Sequence, residues 1–283
     1  MSGLVRNKVL DKTGLKEEDE FLGEFIVRDP EILRIMARIA RTVNDKGILN
    51  LGGHVIIRSF KRINGKIKHI TIERKNLVFI PFYKFDRDLE IDLRDLETVL
   101  GKYRSERFVE VDEYRNKLVF NGESEVEVRG FDNWWIEEPY SDVFSRSYIT
   151  GKANVAGIPR NDLEEILKEI IDQSGGKKMI SFVVDPNAEK GERFRIKTDE
   201  EIQINLPHMA VVPVIGRSLN APVESLKVDP EEIYRFLRSL PEEITEIRMR
   251  LSESGIEIYA KDPERRIDIR YGIVSENVLR GKL

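Results

Sequence analysis

The sequence predicts an α+β protein with two tandem domains, each containing two helices packed on antiparallel sheet. One helical design occurs four times at roughly even spacing, each time after a short strand and before strand-rich sequence. The segments between the helices alternate apolar and polar residues and are separated by turn signals, as antiparallel strands with one buried face do. Four such helices indicate an internal duplication.

The first and last helical segments have the clearest boundaries. Residues 27–39 and 228–240 both contain Asp-Pro-Glu, and Asp29 and Asp229 are predicted to be N-caps. An Asp side chain accepts hydrogen bonds from the free N–H groups of the first turn, and Pro loses no bond at the first helical position. The two weaker copies span residues 92–100 and 159–171.

Each helix is predicted to bury an apolar face and to expose a charged one. The exposed cations are expected at Arg34, Arg38 and Arg41 in the first helix, Arg94 and Lys102 in the second, and Arg235 and Arg238 in the fourth. The third helix is acidic on balance, although Arg160 and Lys168 are candidate basic positions. Arginine on one solvated helix is ordinary, so only the repetition gives this pattern weight.

The clearest strand prediction is a hairpin after the first helix. Residues 53–60 and 67–73 flank Asn64-Gly65, and both turn residues can adopt positive φ. Three short strands are expected after the second helix and three after the fourth. Their predicted ranges are residues 108–111, 117–120 and 125–128, and then residues 247–251, 256–259 and 266–271.

Composition limits the classes of function. The chain has 283 residues, of which 40% are hydrophobic and 35% charged, as expected for a soluble protein of two domains. No stretch approaches the roughly 20 apolar residues of a membrane span, and no signal peptide is evident, so we expect a cytoplasmic protein without membrane contact. The absence of cysteine excludes thiolate chemistry and, with the high charge content, suits a thermophilic source. Because the net charge is −4, contact with a polyanion must be local.

No signature of catalysis is present. The three histidines, His54, His69 and His208, lie in or beside strand-like sequence without metal-ligand spacing. Neither a phosphate-binding glycine loop nor a nucleophile elbow occurs. We therefore predict a protein without catalytic residues, metal or cofactor.

Three stretches together indicate a family. Leu89–Leu100 resembles the second helix of the DNA sliding clamps of the proliferating cell nuclear antigen type, found in archaea and eukaryotes. Lys68–Ile72 resembles the segment after their first hairpin, and Ile247–Val274 resembles their last three strands. The resemblance covers almost the whole chain and suggests a divergent archaeal or viral member. It implies an N-terminal extension at residues 1–20, a first clamp domain at 21–129, a connector at 130–145 and a second clamp domain at 146–283.

The resemblance implies a ring that encircles duplex DNA without reading its sequence and tethers replication and repair proteins to it. The partners would be DNA polymerase, a clamp loader and other clients, and the ring would be a trimer of this chain or of paralogues. The arginine and lysine positions of all four helices, including Arg160 and Lys168, would face DNA. Clients would insert into a groove lined by His69, Trp134, Trp135, Ile136 and Ile273.

Three features differ from the family pattern, and the N-terminal extension at residues 1–20 is the first. The third helix is acidic where DNA is expected, and Val274–Asn277 replaces the C-terminal Leu-Ala-Pro signature. Subunits are expected to join by strand pairing, near Val109–Val111 or near Phe182–Val184. Two alternatives stay open: a monomeric adaptor or decoy with the same fold, and a nucleic-acid-processing enzyme with a carboxylate-bound metal.

Overall fold

A computed structural model shows four helices and eighteen strands in the parts of the chain that it describes. These parts are residues 20–52, 54–79, 87–130, 153–175, 178–189, 191–200, 203–205, 210–212 and 221–277. The helices are α1 (Pro30–Ala40), α2 (Leu93–Gly101), α3 (Arg160–Ser174) and α4 (Pro230–Ser239). All four predicted helices are therefore present.

The strands of the first half lie between residues 21 and 130. They are β1 (Phe21–Arg28), β2 (Lys46–Leu51), β3 (His54–Ile63), β4 (Lys66–Lys75), β5 (Val78–Phe79), β6 (Asp88–Asp92), β7 (Phe108–Tyr114), β8 (Lys117–Phe120) and β9 (Ser124–Gly130). Asn64 and Gly65 both have positive φ between β3 and β4, so the predicted hairpin turn is confirmed.

The second half follows the same order of elements. Its strands are β10 (Ala153–Pro159), β11 (Ile180–Val184), β12 (Phe194–Thr198), β13 (Gln203–Asn205), β14 (Ala210–Val212), β15 (Val223–Glu224), β16 (Glu246–Ser252), β17 (Gly255–Asp262) and β18 (Ile267–Ser275). In each half a strand precedes the first helix and three antiparallel strands follow the second. This correspondence supports the predicted duplication.

The N-caps differ between the helices. Asp229 accepts a hydrogen bond from the Glu231 backbone N–H at 2.9 Å, and Asp92 caps α2 in the same way. Asp29 is the N-cap residue of α1, as predicted, but the expected hydrogen bond from its side chain to the first turn is not formed. Its backbone has φ 52° and donates to the Arg107 carbonyl, because the pairing of β1 with β7 extends to this position. The left-handed conformation directs the side chain away from the helix N-terminus.

Two sheets contain the strands. One has fourteen strands in the order β14-β10-β16-β17-β18-β4-β3-β2-β6-β9-β8-β7-β1-β5, and the other has the order β13-β12-β11-β15. The two halves join where β18 pairs with β4 in antiparallel register from Ile267↔Arg74 to Ser275↔Lys66. Helix α4 strengthens this junction, because Phe236 stacks on Tyr271 with 4.3 Å between ring centroids and Glu232 pairs with Lys68 at 3.5 Å.

The strands predicted to form a subunit joint lie inside the sheets. Val109–Val111 belongs to β7, which pairs with β1 on one side and β8 on the other. Phe182–Val184 belongs to β11, which lies between β12 and β15. Since both edges of these strands are occupied, the predicted joint was wrong. Sequence alternation identifies a strand but not its neighbours.

Candidate nucleic-acid interface

The helices pack in two pairs, α1 with α2 and α3 with α4. In α1 the apolar residues at helical spacing are all buried, as are Leu33 and Ala37 on the flanks; they are Ile32, Ile35, Met36, Ile39 and Ala40. Helix α1 contacts β3 and β4, α2 contacts β6 and β9, and α3 contacts β10. The remaining helix surfaces carry the candidate cations, so the geometry of those side chains decides what the surface can bind.

Most arginines of the first pair are bound to carboxylates. Glu97 of α2 accepts from Arg41 at 2.5 Å and pairs with Arg34 at 3.7 Å, which joins the two helices. Further pairs extend this contact into a chain of alternating charge. They are Arg34–Glu31 at 2.6 Å, Arg41–Asp45 at 3.0 Å and Arg94–Asp45 at 2.6 Å. We call these six residues the Glu97 network.

The network neutralises itself, because it contains three arginines and three carboxylates. The hydrogen bond from Arg34 lowers the pKa of Glu31, and the hydrogen bond from Arg41 lowers the pKa of Asp45. Both carboxylates therefore stay ionised around neutral pH and cancel the arginine charge locally. Arg34 is only 22% exposed in its side chain. The network therefore stabilises the helix pair and leaves little net positive charge for a ligand.

Other cations of the first half stay accessible. Arg38 is exposed and forms no ion pair with a residue that the structure describes. Lys102 is exposed and donates to the Ser124 hydroxyl at 3.0 Å. Arg104, which we did not predict, is exposed after α2 and close enough to Glu31 to contribute, after Arg34, to its lowered pKa. The sequence signal for it was the segment of residues 102–107, in which three of the six residues are basic.

The second pair differs. Arg235 and Arg238 of α4 are exposed, each 65% in its side chain, although Arg235 contacts Glu231 at 2.6 Å and Arg238 reaches Glu164 at 4.0 Å. These contacts are at the surface and are weakly restraining. Helix α4 therefore presents its two arginines to solvent as the sequence predicted.

Arg160 was expected to face DNA, but it is buried. It is only 7% exposed, and its guanidinium donates to the carbonyls of Pro241 at 2.6 Å and Ile244 at 3.3 Å, besides pairing with Glu164 at 2.6 Å. These bonds satisfy buried carbonyls that follow α4. Arg160 holds α3 against that segment and cannot face DNA.

The surface of α3 is acidic. Lys168 is exposed, but so are Asp162, Glu165, Glu169 and Asp172. The helix would repel a phosphate backbone over most of its exposed length. On the helices and the segments that follow them, accessible positive charge is thus concentrated at Arg38, Lys102, Arg104, Arg235 and Arg238. Arg94 is also exposed, at 62% of its side chain, but it is paired with Asp45.

Two residues of the predicted client groove are buried and cannot line it. His69 and Ile273 are each 1% exposed and lie in the β4–β18 junction. Burial lowers the pKa of His69 to about 3, and Arg270 adds to the effect, so the ring is neutral at physiological pH. A Cβ at Gly272 would lie 2.4 Å from the Nε2 atom of His69, so the ring occupies the space over that glycine. Trp134, Trp135 and Ile136 lie outside the described residues.

Two features are absent from the described part of the chain. No group of three or more His, Cys, Asp or Glu side chains there has the arrangement of a metal site. No helix among the described residues has the length and apolar character to cross a bilayer.

Structural comparison identifies the fold. Proliferating cellular nuclear antigen from Entamoeba histolytica matches with a TM-score of 0.61 and 13% identity, covering 90% of this chain and 98% of that one. The nuclear antigen of A. fulgidus, solved with the C-terminal region of FEN-1 bound, matches with a TM-score of 0.61 and 14% identity over the same shares. This chain has the sliding-clamp fold.

The beta subunit of DNA polymerase III from Thermotoga maritima also matches. Its TM-score is 0.62 at 16% identity, and the match covers 94% of this chain and 68% of that one. No protein-family model and no curated protein matches the sequence. The α+β class and the resemblance to sliding clamps are confirmed at the level of the fold.

Proposed function

We propose that this chain is a subunit of a ring that encircles duplex DNA and tethers replication and repair proteins to it. The observation that carries the proposal is the likeness to two clamps along 90% of this chain and 98% of theirs. A binding protein that contained only one clamp domain would match over half the length of these clamps. No catalytic role is proposed.

The internal duplication supports ring closure by strand pairing. Within the chain, β18, the third strand after α4, pairs with β4, the third strand after α1. The equivalent strands of the other helices are β9 and β13. The outer edge of β13 and the outer edge of β9 from Ser124 to Glu127 have no strand partner in the described part of the chain. A joint between β9 of one copy and β13 of the next would repeat the internal junction head to tail.

Such a head-to-tail joint would close a ring of three copies, or of this chain with paralogues. Pairing would also cover strand edges that would otherwise favour aggregation. The helices would then line the hole. Arg38, Lys102, Arg104, Arg235 and Arg238 would contact phosphates, while the acidic surface of α3 would contribute little. Weak, sequence-independent contacts of this kind permit sliding.

DNA polymerase, a clamp loader and other client proteins are the proposed partners. The structure of the A. fulgidus protein with the C-terminal region of FEN-1 bound supports a client-binding role for the fold. Trp134, Trp135 and Ile136 remain the proposed client contacts, without His69 and Ile273.

Negative-stain images and light scattering on the purified chain test the assembly. We expect a closed ring of three subunits with a hole that admits duplex DNA. A monomer at micromolar concentration, alone and with any paralogue, would contradict the ring and favour the monomeric adaptor.

A charge-reversal variant tests the DNA surface. We expect Arg38→Glu with Arg238→Glu to reduce retention on closed circular DNA at least about tenfold at low salt, because each reversal removes a phosphate contact and adds repulsion. The matched control is Arg115→Glu, which changes an exposed arginine on the β7–β8 turn. Equal retention by the two variants would remove these helices from the DNA surface.

A further inference from the structure

All three large apolar residues that are exposed in the described part of the chain lie on one side of the same four strands. They are Phe21 of β1, Phe79 of β5 and Phe108 of β7, which are 46%, 48% and 58% exposed. Scattered apolar residues are ordinary at a protein surface, but several on one face indicate a surface that another segment covers. We call the outward side of strands β5, β1, β7 and β8 the β1 face.

The strand register brings two of these phenylalanines together. Val27 of β1 is buried in the core, so its neighbours Ile26 and Arg28 point outward. Ile26 lies opposite Phe79, and Arg28 lies opposite Phe108. The Arg28 guanidinium also lies 5.4 Å from the centroid of the Phe79 ring. Three apolar side chains and one arginine therefore form a cluster at one end of the β1 face.

A second aromatic cluster lies at the other end. Phe21 is opposite Tyr114 of β7, and the two rings contact edge to face with 5.7 Å between their centroids. Tyr114 points outward, because Glu113 before it is fully buried. From Phe21 to Arg28 the strand spans about 24 Å, at 3.4 Å per residue. This is the length that a segment covering the β1 face must reach.

Three carboxylates lie between the two clusters. Glu24 of β1 is opposite Asp112 of β7, and Glu110 of β7 is opposite Ile26. Within the described ranges, none of the three carboxylates forms an ion pair or a side-chain hydrogen bond. Glu97, in contrast, has two arginine partners. Like charges on neighbouring strands repel each other, so the β1 face favours a cationic ligand.

The chain enters the β1 face from residues 1–19, which lie outside the described residues. The Glu20 carbonyl accepts a hydrogen bond from the Arg115 N–H at 3.0 Å, so the entry point is at the end that holds Phe21 and Tyr114. Sixteen residues span about 24 Å as a helix, and about seven do so as an extended chain. The segment is therefore long enough to cover the face in either conformation.

The composition of this segment complements the β1 face. Among residues 1–16 four are basic, one is acidic and five are Leu or Val. The basic residues are Arg6, Lys8, Lys12 and Lys16, and the aliphatic residues are Leu4, Val5, Val9, Leu10 and Leu15. Residues 17–20 are all acidic, so the basic part is separated from β1 by a short acidic stretch. Cations and aliphatic side chains are what three unpaired carboxylates between two aromatic clusters would bind.

We propose that residues 1–19 bind to the β1 face of their own chain. The basic side chains would lie beside Glu24, Glu110 and Asp112, and the aliphatic side chains would cover Phe79 and Phe108. Because the segment is joined to the face at Glu20, its effective concentration there is high and weak contacts suffice. Binding would also cover apolar surface that favours aggregation when it is open to solvent. This inference goes beyond the proposed function and does not rest on it.

Cross-linking in the full chain tests the proposal. The chain contains no cysteine, so two introduced cysteines allow only one link within a molecule. Thr13→Cys places one in the segment, and Val119→Cys places the other on the β1 face, opposite Asp112. The control pair combines Thr13→Cys with Thr98→Cys, which is exposed on helix α2. A bifunctional thiol reagent should link the test pair at least about fivefold faster than the control pair.

Charge exchange tests the pairing in the same cross-linking assay. Glu24→Lys with Glu110→Lys should slow the link about fivefold at low salt, because attraction becomes repulsion. Adding Lys8→Glu with Lys12→Glu to that variant should restore the rate. Phe108→Ser should slow the link about threefold, since the exposed ring loses its apolar contact. Melting curves show whether each variant is folded.

Three results would overturn the proposal. One is an equal rate for the test pair and the control pair, and another is a rate that charge reversal leaves unchanged. The third is linking between chains rather than within them in dilute solution, which would assign the β1 face to the segment of a second copy. Failure of the second charge exchange to restore the rate would overturn the charge pairing. Since the assay contains no DNA and requires no ring, this inference and the proposed function can fail separately.

Discussion

Helices α1 and α4 differ in how far carboxylates neutralise the arginines on their outer faces. In the first pair, Glu97 forms ion pairs with Arg34 and Arg41, and the resulting neutral network joins α1 to α2. In the second pair, Arg235 and Arg238 remain exposed on α4 while α3 is acidic. Both pairs have similar apolar faces, so the difference lies in where carboxylates of the neighbouring helix fall. The number of arginines on a helix does not give the positive charge that a ligand meets.

Arg160→Ala should give the largest change in stability. The substitution leaves the carbonyls of Pro241 and Ile244 and the carboxylate of Glu164 without their buried donor. We expect the free energy of unfolding to fall by about 3 kcal/mol, as for other lost buried donors. Chemical denaturation measures this. Arg38→Ala is the control, with an expected change below about 0.5 kcal/mol. Equal effects would mean that Arg160 is not the anchor of α3.

A second prediction concerns Glu113, a buried carboxyl group of the first half. It has one arginine neighbour, whereas Glu97 has two. Glu113 is fully buried, and burial raises its pKa to about 7 against the opposing charge of Arg87, 3.0 Å away. Because the folded pKa exceeds the ordinary value of 4.5, its contribution is fully present below about pH 4.5 and is lost as pH rises through about 7.

Glu113→Gln should remove that pH dependence. We expect the unfolding free energy of the parent chain to fall by about 2 kcal/mol more than that of the variant between about pH 5 and pH 8. Denaturant titrations at several pH values measure the difference. Parallel pH profiles would show that Glu113 does not titrate in this range.

Glu97→Gln sharpens the comparison directly. Gln can still accept a hydrogen bond but no longer neutralises Arg34 and Arg41. We expect a loss of about 1 kcal/mol in stability, together with DNA retention roughly threefold to tenfold stronger at low salt and a steeper salt dependence. Filter binding across a salt series provides the measurement. Unchanged retention would place this network away from DNA.

Glu165→Lys with Glu169→Lys gives the smallest expected change in stability. Both side chains are exposed on α3, so the unfolding free energy should change by less than about 0.5 kcal/mol. DNA retention should rise about threefold if α3 lines the hole, because repulsion is replaced by attraction. The control exchanges Glu123, exposed on the turn before β9, for Lys. Identical retention by both variants would mean that α3 does not face the duplex.

The predictable part of this protein was local. Helix boundaries followed from Asp-Pro-Glu and from the 3.6-residue period, and the Asn64-Gly65 turn followed from its need for positive φ. Asp29 shows the limit of such rules. Like Asp229, it is followed by Pro and Glu, but the pairing of β1 with β7 sets its backbone conformation. A tertiary contact overrode the local preference.

The candidate site could be predicted only in part. The predicted exposure of the α4 arginines was correct: both side chains are 65% exposed, although Glu231 contacts Arg235 at 2.6 Å and Glu164 lies 4.0 Å from Arg238. Arg160 could not be assigned correctly, because its carbonyl acceptors lie 81 and 84 residues away in the sequence.

The sequence by itself determined the four helices, the first hairpin, the strands after α2 and α4, the duplication and the fold, because short-range periodicity and turn chemistry specify which face of each element is apolar. Only the tertiary structure decided which charges remain accessible. Arg41 and Glu97 are separated by 56 residues but lie 2.5 Å apart. Charge pairing depends on distance in space, and at such sequence separations that distance is set by helix and strand packing rather than by any local pattern.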